Sequence, residues 1–351
     1  MADSLWNPAL GAMGAYAVPA AEGLVKLDAM ENPYGLPAPV LKAFIERLPA
    51  LAVNRYPDAG GTALKAALGR AFPVDAAFAS VLGNGSDELI AMLMQSVLQP
   101  GACVLAPEPG FVMYRRCAEL LGLRYVGVPL RAAFALDLPA MLAAIDREQP
   151  QLVFVASPNN PTGNAFAAAE LAELARATPG LFVLDEAYIP YAEGDGADFA
   201  AGEDNVVLLR TLSKWGLAGL RLGFVQARKP VCEALEKLRM PYNVNALSQE
   251  LGRICLEQAG AFAPQIDTLK TERARLAQAL AAPGVEVYPS QANFLLVRVP
   301  DAVAANARLR EAGLLLKCLH GTHPLLRQCL RISVGRPEEN EALLAAWPGA
   351  L

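Results

Sequence analysis

The sequence predicts an α/β protein in which a mostly parallel sheet, covered by helices, is followed by a smaller α+β unit. Three observations carry this. From about residue 36, short apolar runs rich in Val, Leu and Phe alternate with segments of helical period, the pattern of a sheet whose crossovers are helices. Hydrophobic residues make up 54% of the 351, enough to fill the two-sided core such a sheet requires. After Pro241 the strict alternation stops.

Taken in order, a helical segment at 86–98 is opened by "GNGSDELI" (83–90), whose glycines, hydroxyl and acids suit a helix N-terminus. "ACVLA" (102–106) follows, an unbroken apolar run of the kind buried on both faces. A helix at 112–121 leads to the strand "RYVGV" (124–128), and one at 138–148 leads to "QLVFVA" (151–156). A helix at 167–177 precedes "LFVLDE" (181–186), and "NVVLLR" (205–210) and "LGFVQA" (222–227) complete the strands. The smaller unit comprises a long helical segment over about 246–280, "VEVYPSQANFLLVRV", a helix near 301–312, "LLLKC" and "QCLRISV". In an open parallel sheet, ligands sit just beyond the carboxyl ends of the strands. Asn160 follows the strand 151–156, Asp185 closes 181–185 and Lys214 follows 205–210. If these strands are neighbours, an amide, a carboxylate and an amine converge on one rim.

Composition narrows the function classes. With 35 acidic against 30 basic residues and no basic block, neither a nucleic-acid stripe nor a polybasic membrane patch is present. Apolar runs fall short of the ~18–20 residues that span a bilayer, and "MADSLWNPALGAMGAY" has no basic region ahead of an apolar one. The expectation is a cytoplasmic protein with small-molecule partners. Six cysteines without a C-x-x-C pair, and two histidines, suggest neither a metal site nor a disulfide framework.

Within "TLSKWGLAGLRLG" (211–223), Lys214 has no charged neighbour until Arg221. A buried ammonium is costly, so such a lysine pairs with an anion or sheds its proton and becomes a nucleophile; a lysine snorkelling from a loop edge is the alternative. One ligand needs amine, carboxylate and amide together: pyridoxal phosphate, whose aldehyde bonds a lysine and whose ring nitrogen is kept protonated by a carboxylate.

"SPNNPTG" (157–163), "DEAY" (185–188) and "TLSKWGLAGLR" (211–221), in that order, resemble the signature of the class I/II aminotransferases of fold type I. "ENPYG" (31–35), "NRYPD" (54–58), "PGFVMYR" (109–115), "HPLL" (323–326) and "CLRISVG" (329–335) bring the resemblance closer to the histidinol-phosphate aminotransferase family. It covers nearly the whole chain and implies an arm over the active site (1–35), a large cofactor domain (36–243) and a small C-terminal domain (244–351). By this resemblance Lys214 is the covalent and proton-transferring residue. Asp185 pairs with the ring nitrogen, Asn160 and Tyr188 bond the ring oxygen, and Phe111 stacks where relatives often carry tyrosine. Ser86, Asp87, Thr211, Ser213 and Arg221 cup the phosphate, although Lys214 and Arg221 stand one residue closer than in many relatives. Tyr56 reaches the phosphate of a neighbouring subunit, which implies a homodimer with shared sites. Plainer readings stand beside these: Ser86-Asp87 as an N-cap, Asp185 as a turn former, Phe111 as a core aromatic and Tyr56 as a surface turn residue.

The same resemblance makes Arg331 the grip on the substrate's anionic end, with Lys317 where relatives carry a second arginine and Tyr16 and Asn32 enclosing the substrate. The implied reaction moves an amino group between histidinol phosphate and 2-oxoglutarate, giving imidazole acetol phosphate and glutamate. Alternatives are a decarboxylase of an amino-acid phosphate such as threonine phosphate, an aromatic or broad-range aminotransferase, and a non-catalytic binding module. His323 receives no catalytic role.

Overall fold

Thirteen strands form three sheets among residues 6–15 and 18–351, which the computed structural model describes. In chain order they are β1 (Val25–Lys26), β2 (Phe78–Asn84), β3 (Cys103–Glu108), β4 (Arg124–Pro129), β5 (Leu152–Ala156), β6 (Leu181–Asp185) and β7 (Val206–Thr211). There follow β8 (Leu222–Arg228), β9 (Glu286–Val287), β10 (Phe294–Arg298), β11 (Leu314–Leu315), β12 (Lys317–Cys318) and β13 (Cys329–Ser333).

The large sheet runs β2-β8-β7-β6-β5-β3-β4, parallel from β7 to β4, with β8 antiparallel to both its neighbours. Its inner strands are largely apolar because both faces are covered. In β5, Val153 and Val155 enter the layer that includes Met141, Leu171 and Leu174, while Leu152 and Phe154 enter the layer that includes Leu89, Leu93 and Tyr114. β5, β6 and β7 are adjacent, so the ends carrying Asn160, Asp185 and Lys214 lie side by side.

Two elements depart from the sequence reading. The edge strand β2 was not expected, because "FASVLGN" mixes small and polar residues with its apolar ones. The long helical segment is two helices, Ala246–Glu257 and Ala263–Ala279, separated by a 3-10 turn at Ala259–Phe262 that contains Gly260, with Pro264 opening the second helix. The first helix packs Leu251, Ile254 and Cys255 with Val40, Leu64 and Leu68 of the large unit; Leu269 and Leu276 of the second join the smaller unit's core. The change of packing partner thus falls at the 3-10 turn, one helix later than the change of texture after Pro241.

The smaller unit is the antiparallel sheet β12-β13-β10-β9 with the helices Ala302–Glu311 and Pro337–Ala350. β1 pairs in parallel with β11, and the next residues continue along β13: Ser333 N–H donates to Leu27 O, and Met30 N–H donates to Ser333 Oγ at 2.8 Å. Residues 25–30 are therefore stitched to the smaller unit and carry Met30 to the rim of the large sheet. Among the described residues no helix is long and apolar enough to cross a membrane.

Candidate active site

Lys214 sits in a 3-10 turn, Ser213–Trp215, closed by Gly216 at φ +106, a conformation that side chains rarely adopt. Two side chains clamp this turn. Tyr191 donates its hydroxyl to Lys214 O at 2.8 Å, and Asn32 Nδ2 donates to Trp215 O at 3.2 Å. Burial lowers the amine's pKa to about 8, and the nearby charge of Arg331 lowers it in the same sense. The Nζ lies 5.5 Å from the centre of the Tyr188 ring.

Asp185 is buried at the end of β6. Burial raises its carboxyl to about 6, against the opposing effect of two donors: the Tyr114 hydroxyl at 2.6 Å and Ala187 N–H at 3.0 Å. Tyr114 was missed in the sequence; it lies three residues beyond Phe111, whose ring meets it edge-on at 5.6 Å. Asn160 Oδ1 accepts from Arg331 Nη1 at 2.7 Å, and Arg331 Nη2 donates to Asp28 O at 2.8 Å. One guanidinium therefore joins the large sheet's rim to the strap at 25–30.

An inner cavity of about 220 Å³ collects Ser86, Asp87, Phe111, Asn160, Asp185, Tyr188, Thr211, Ser213, Lys214 and Arg221. The helix Ser86–Ser96 starts at its wall with no side-chain cap from Gly85, which leaves its first N–H groups for an anion. Thr211 and Ser213 share a 2.9 Å hydroxyl contact, and Arg221 holds Asp87 at 3.2 Å. Gly85 admits Arg221, since a Cβ there would lie 2.5 Å from Nη2. An outer cavity of about 340 Å³ shares Met30, Phe111 and Asn160 with the inner one and adds Lys317 and Arg331.

Tyr56 and Asn32 line neither active-site cavity of this chain. Tyr56 is 81% exposed, stacks on Tyr242 at 4.4 Å and lines a separate surface cavity with Val53 and Leu247, so it does not reach the site of its own chain. Asn32 does not line either active-site cavity: its amide is spent on Trp215 O and its Oδ1 on Tyr34 N–H, because the chain needs it to hold the Lys214 turn. Tyr16 lies outside the described residues.

The sequence matches the family "Aminotransferase class I and II" over residues 22–346. The chain belongs to the class I and II aminotransferases. It is 52% identical over 345 residues to the histidinol-phosphate aminotransferase of Chromobacterium violaceum, covering 98% of this chain and 97% of that one. The histidinol-phosphate aminotransferase 1 of Ralstonia nicotianae is 49% identical, with 97% and 92% covered. The crystal structure of the Sinorhizobium meliloti histidinol-phosphate aminotransferase in complex with pyridoxal-5'-phosphate superposes with a TM-score of 0.88 at 27% identity, covering 99% and 97%.

Pyridoxal 5'-phosphate is the cofactor of this aminotransferase, and the donor set fits it. A buried carboxylate forced upward by desolvation is stabilised by a ring cation, and an amine displaced toward neutrality is ready to attack an aldehyde. Two hydroxyls, a guanidinium and a helix start suit a phosphate dianion.

Proposed function

We propose that this chain is a histidinol-phosphate transaminase of histidine biosynthesis, interconverting L-histidinol phosphate plus 2-oxoglutarate with imidazole acetol phosphate plus L-glutamate. The observation that carries this reading is the place of Arg331, a guanidinium on the outer cavity tied to the rim amide of Asn160. It suits an anion borne on the reacting carbon or one carbon beyond it, close to the proton Lys214 must reach. The close relatives' names support the phosphate of histidinol phosphate as one such anion; in this reading the α-carboxylate of glutamate takes its place in the second half-cycle.

When bound, the cofactor supplies an aldehyde and an electron-accepting ring. Asp185 holds a proton on the ring nitrogen, with Tyr114 and Ala187 N–H fixing its carboxylate. Asn160 offers its Nδ2 to the ring oxygen, because its Oδ1 is occupied by Arg331, and Tyr188 donates beside it. Ser86, Thr211, Ser213, Arg221 and the backbone N–H of Asp87 would hold the phosphate, and Phe111 would stack on the ring. Lys214 Nζ, which is displaced toward neutrality, would bond the cofactor's aldehyde and would accept the proton of the substrate Cα. Lys317 adds a point charge to the anion end.

The working unit in this reading is a cytoplasmic homodimer in which Tyr56 reaches the partner's cofactor phosphate. Its support is the exposed apolar group of Val53, Tyr56, Met240, Tyr242 and Leu247, an area suited to a second copy.

The test is to mix holoenzyme separately with histidinol phosphate and with glutamate and follow the cofactor absorbance. Both convert it without release of carbon dioxide; carbon dioxide from an amino-acid phosphate would replace this reading with a decarboxylase. Arg331→Gln loses a desolvated charge-assisted pair, on the order of 2–5 kcal/mol or roughly 30- to several-thousand-fold in kcat/KM, in both halves. A histidinol phosphate half left intact would remove Arg331 from the phosphate.

A further inference from the structure

The proposed cycle presents one cavity with two amino donors in turn. Their anionic ends can share Arg331, but their other ends differ: the γ-carboxylate of glutamate only accepts hydrogen bonds, whereas the imidazole of histidinol phosphate needs an acceptor for its N–H. A wall carrying only donors suits the first and leaves the second unpaired.

The outer cavity contains an ion pair that offers both. Glu108 ends β3, and Arg115 lies in the first turn of the helix Val112–Leu120. Arg115 donates from Nε and Nη2 to Glu108 Oε1 at 3.1 and 2.8 Å, and from Nη2 to Oε2 at 3.0 Å. The guanidinium lies 4.5 Å over the Tyr125 ring, and its Nη1 lies 3.6 Å from Glu119. Gly127 makes room for the carboxylate, since a Cβ there would stand 2.3 Å from Glu108 Oε2. Both members line the cavity with Lys317 and Arg331, and their side chains keep 20% and 46% of their surface exposed. Cations alone would make this wall a plain anion site; Glu108 is the acceptor that breaks the pattern.

We propose that the Glu108–Arg115 pair reads the side chain of the amino donor, Arg115 donating to the γ-carboxylate of glutamate and Glu108 accepting from the imidazole N–H of histidinol phosphate. The γ-carboxylate is charged and the imidazole is neutral, so the pair offers a cation to the one and a hydrogen-bond acceptor to the other. The assignment rests on the transaminase reading above.

The test compares the two half-reactions of holoenzyme carrying Glu108→Gln or Arg115→Met, the methionine keeping an apolar side chain over Tyr125. Wild type is measured first: failure to convert with histidinol phosphate would overturn the transaminase reading and this inference together. Loss of one hydrogen bond to a charged group corresponds to about 10- to 150-fold. Glu108→Gln lowers kcat/KM for histidinol phosphate by that factor and leaves glutamate equal or improved; Arg115→Met does the reverse. Inhibition constants for glutarate and for 3-(imidazol-4-yl)propyl phosphate, which lack the reacting amine, follow the same crossed pattern. If the pair only braces the helix against β3, both substrates weaken together in each variant, and that result, or an unchanged ratio, overturns the proposal.

Discussion

Asp185 shows how burial sets chemistry at the level of one residue. Its carboxyl is raised from 3.8 to about 6, so the folded chain binds a proton there more tightly than the unfolded chain does. The stabilisation is complete below about pH 4 and is lost as pH rises through 6. The shift is worth about 3 kcal/mol, the cost at pH 7 of burying an ionised group without its cation. Cofactor-free Asp185→Asn escapes this cost, because an amide can accept from Ala187 N–H and donate to the phenol oxygen of Tyr114. Urea unfolding at pH 4 and pH 7 is expected to move the stability difference between variant and wild type by about 2–2.5 kcal/mol in the variant's favour, while its cofactor affinity falls. A difference that does not change with pH would show that desolvation does not dominate at Asp185. The meeting of Asp185, Asn160 and Lys214 at one cavity was legible because each stands at or just after the end of a recognisable strand. Tyr114 and Tyr191 were not, because a tyrosine in an apolar helix or before a loop looks like core until its hydroxyl finds a partner.

The strands position these residues through an ion pair that alternation places on the opposite face. Glu186 follows Asp185 and Arg210 precedes Thr211, and their side chains meet at 2.7 Å with 2% and 1% exposure. Arg210 also donates to Gln226 Oε1 on β8 at 2.7 Å, and Glu186 accepts from Gly196 N–H at 2.5 Å, so the pair ties β6, β7 and β8 together behind the cavity. Arg210→Met alone strands a buried carboxylate and is expected to cost about 3–5 kcal/mol in urea unfolding of the holoenzyme. Arg210→Met with Glu186→Leu removes both charges and recovers most of that loss; a double variant as unstable as the single would place the cost in packing. At this scale the sequence revealed the sheet's apolar interior strands and concealed β2, where Ser80, Gly83 and Asn84 dilute the apolar signal. It also concealed the break at 259–262, since both flanking helices keep a helical period while changing the core they face.

At the scale of the whole molecule, what one chain's sequence leaves open is which residues serve another copy. Tyr56 carries a family motif yet lies on the surface, stacked against Tyr242, where its own cofactor pocket is out of reach. If it completes the partner's phosphate site, two defective chains must repair each other. Lys214→Ala removes the reacting amine, and Tyr56→Ala removes a hydroxyl donor to a charged phosphate, expected to loosen the cofactor by roughly 10-fold. A hybrid dimer then holds one site with both defects and one with neither, because its intact Lys214 and intact Tyr56 come from different chains. Random reassortment makes half of the dimers hybrid, so the mixture regains roughly one quarter of wild-type turnover at limiting cofactor, above the mean of the two separate variants. A Tyr56 that served its own chain would leave every Lys214-bearing site defective, and mixing would add nothing.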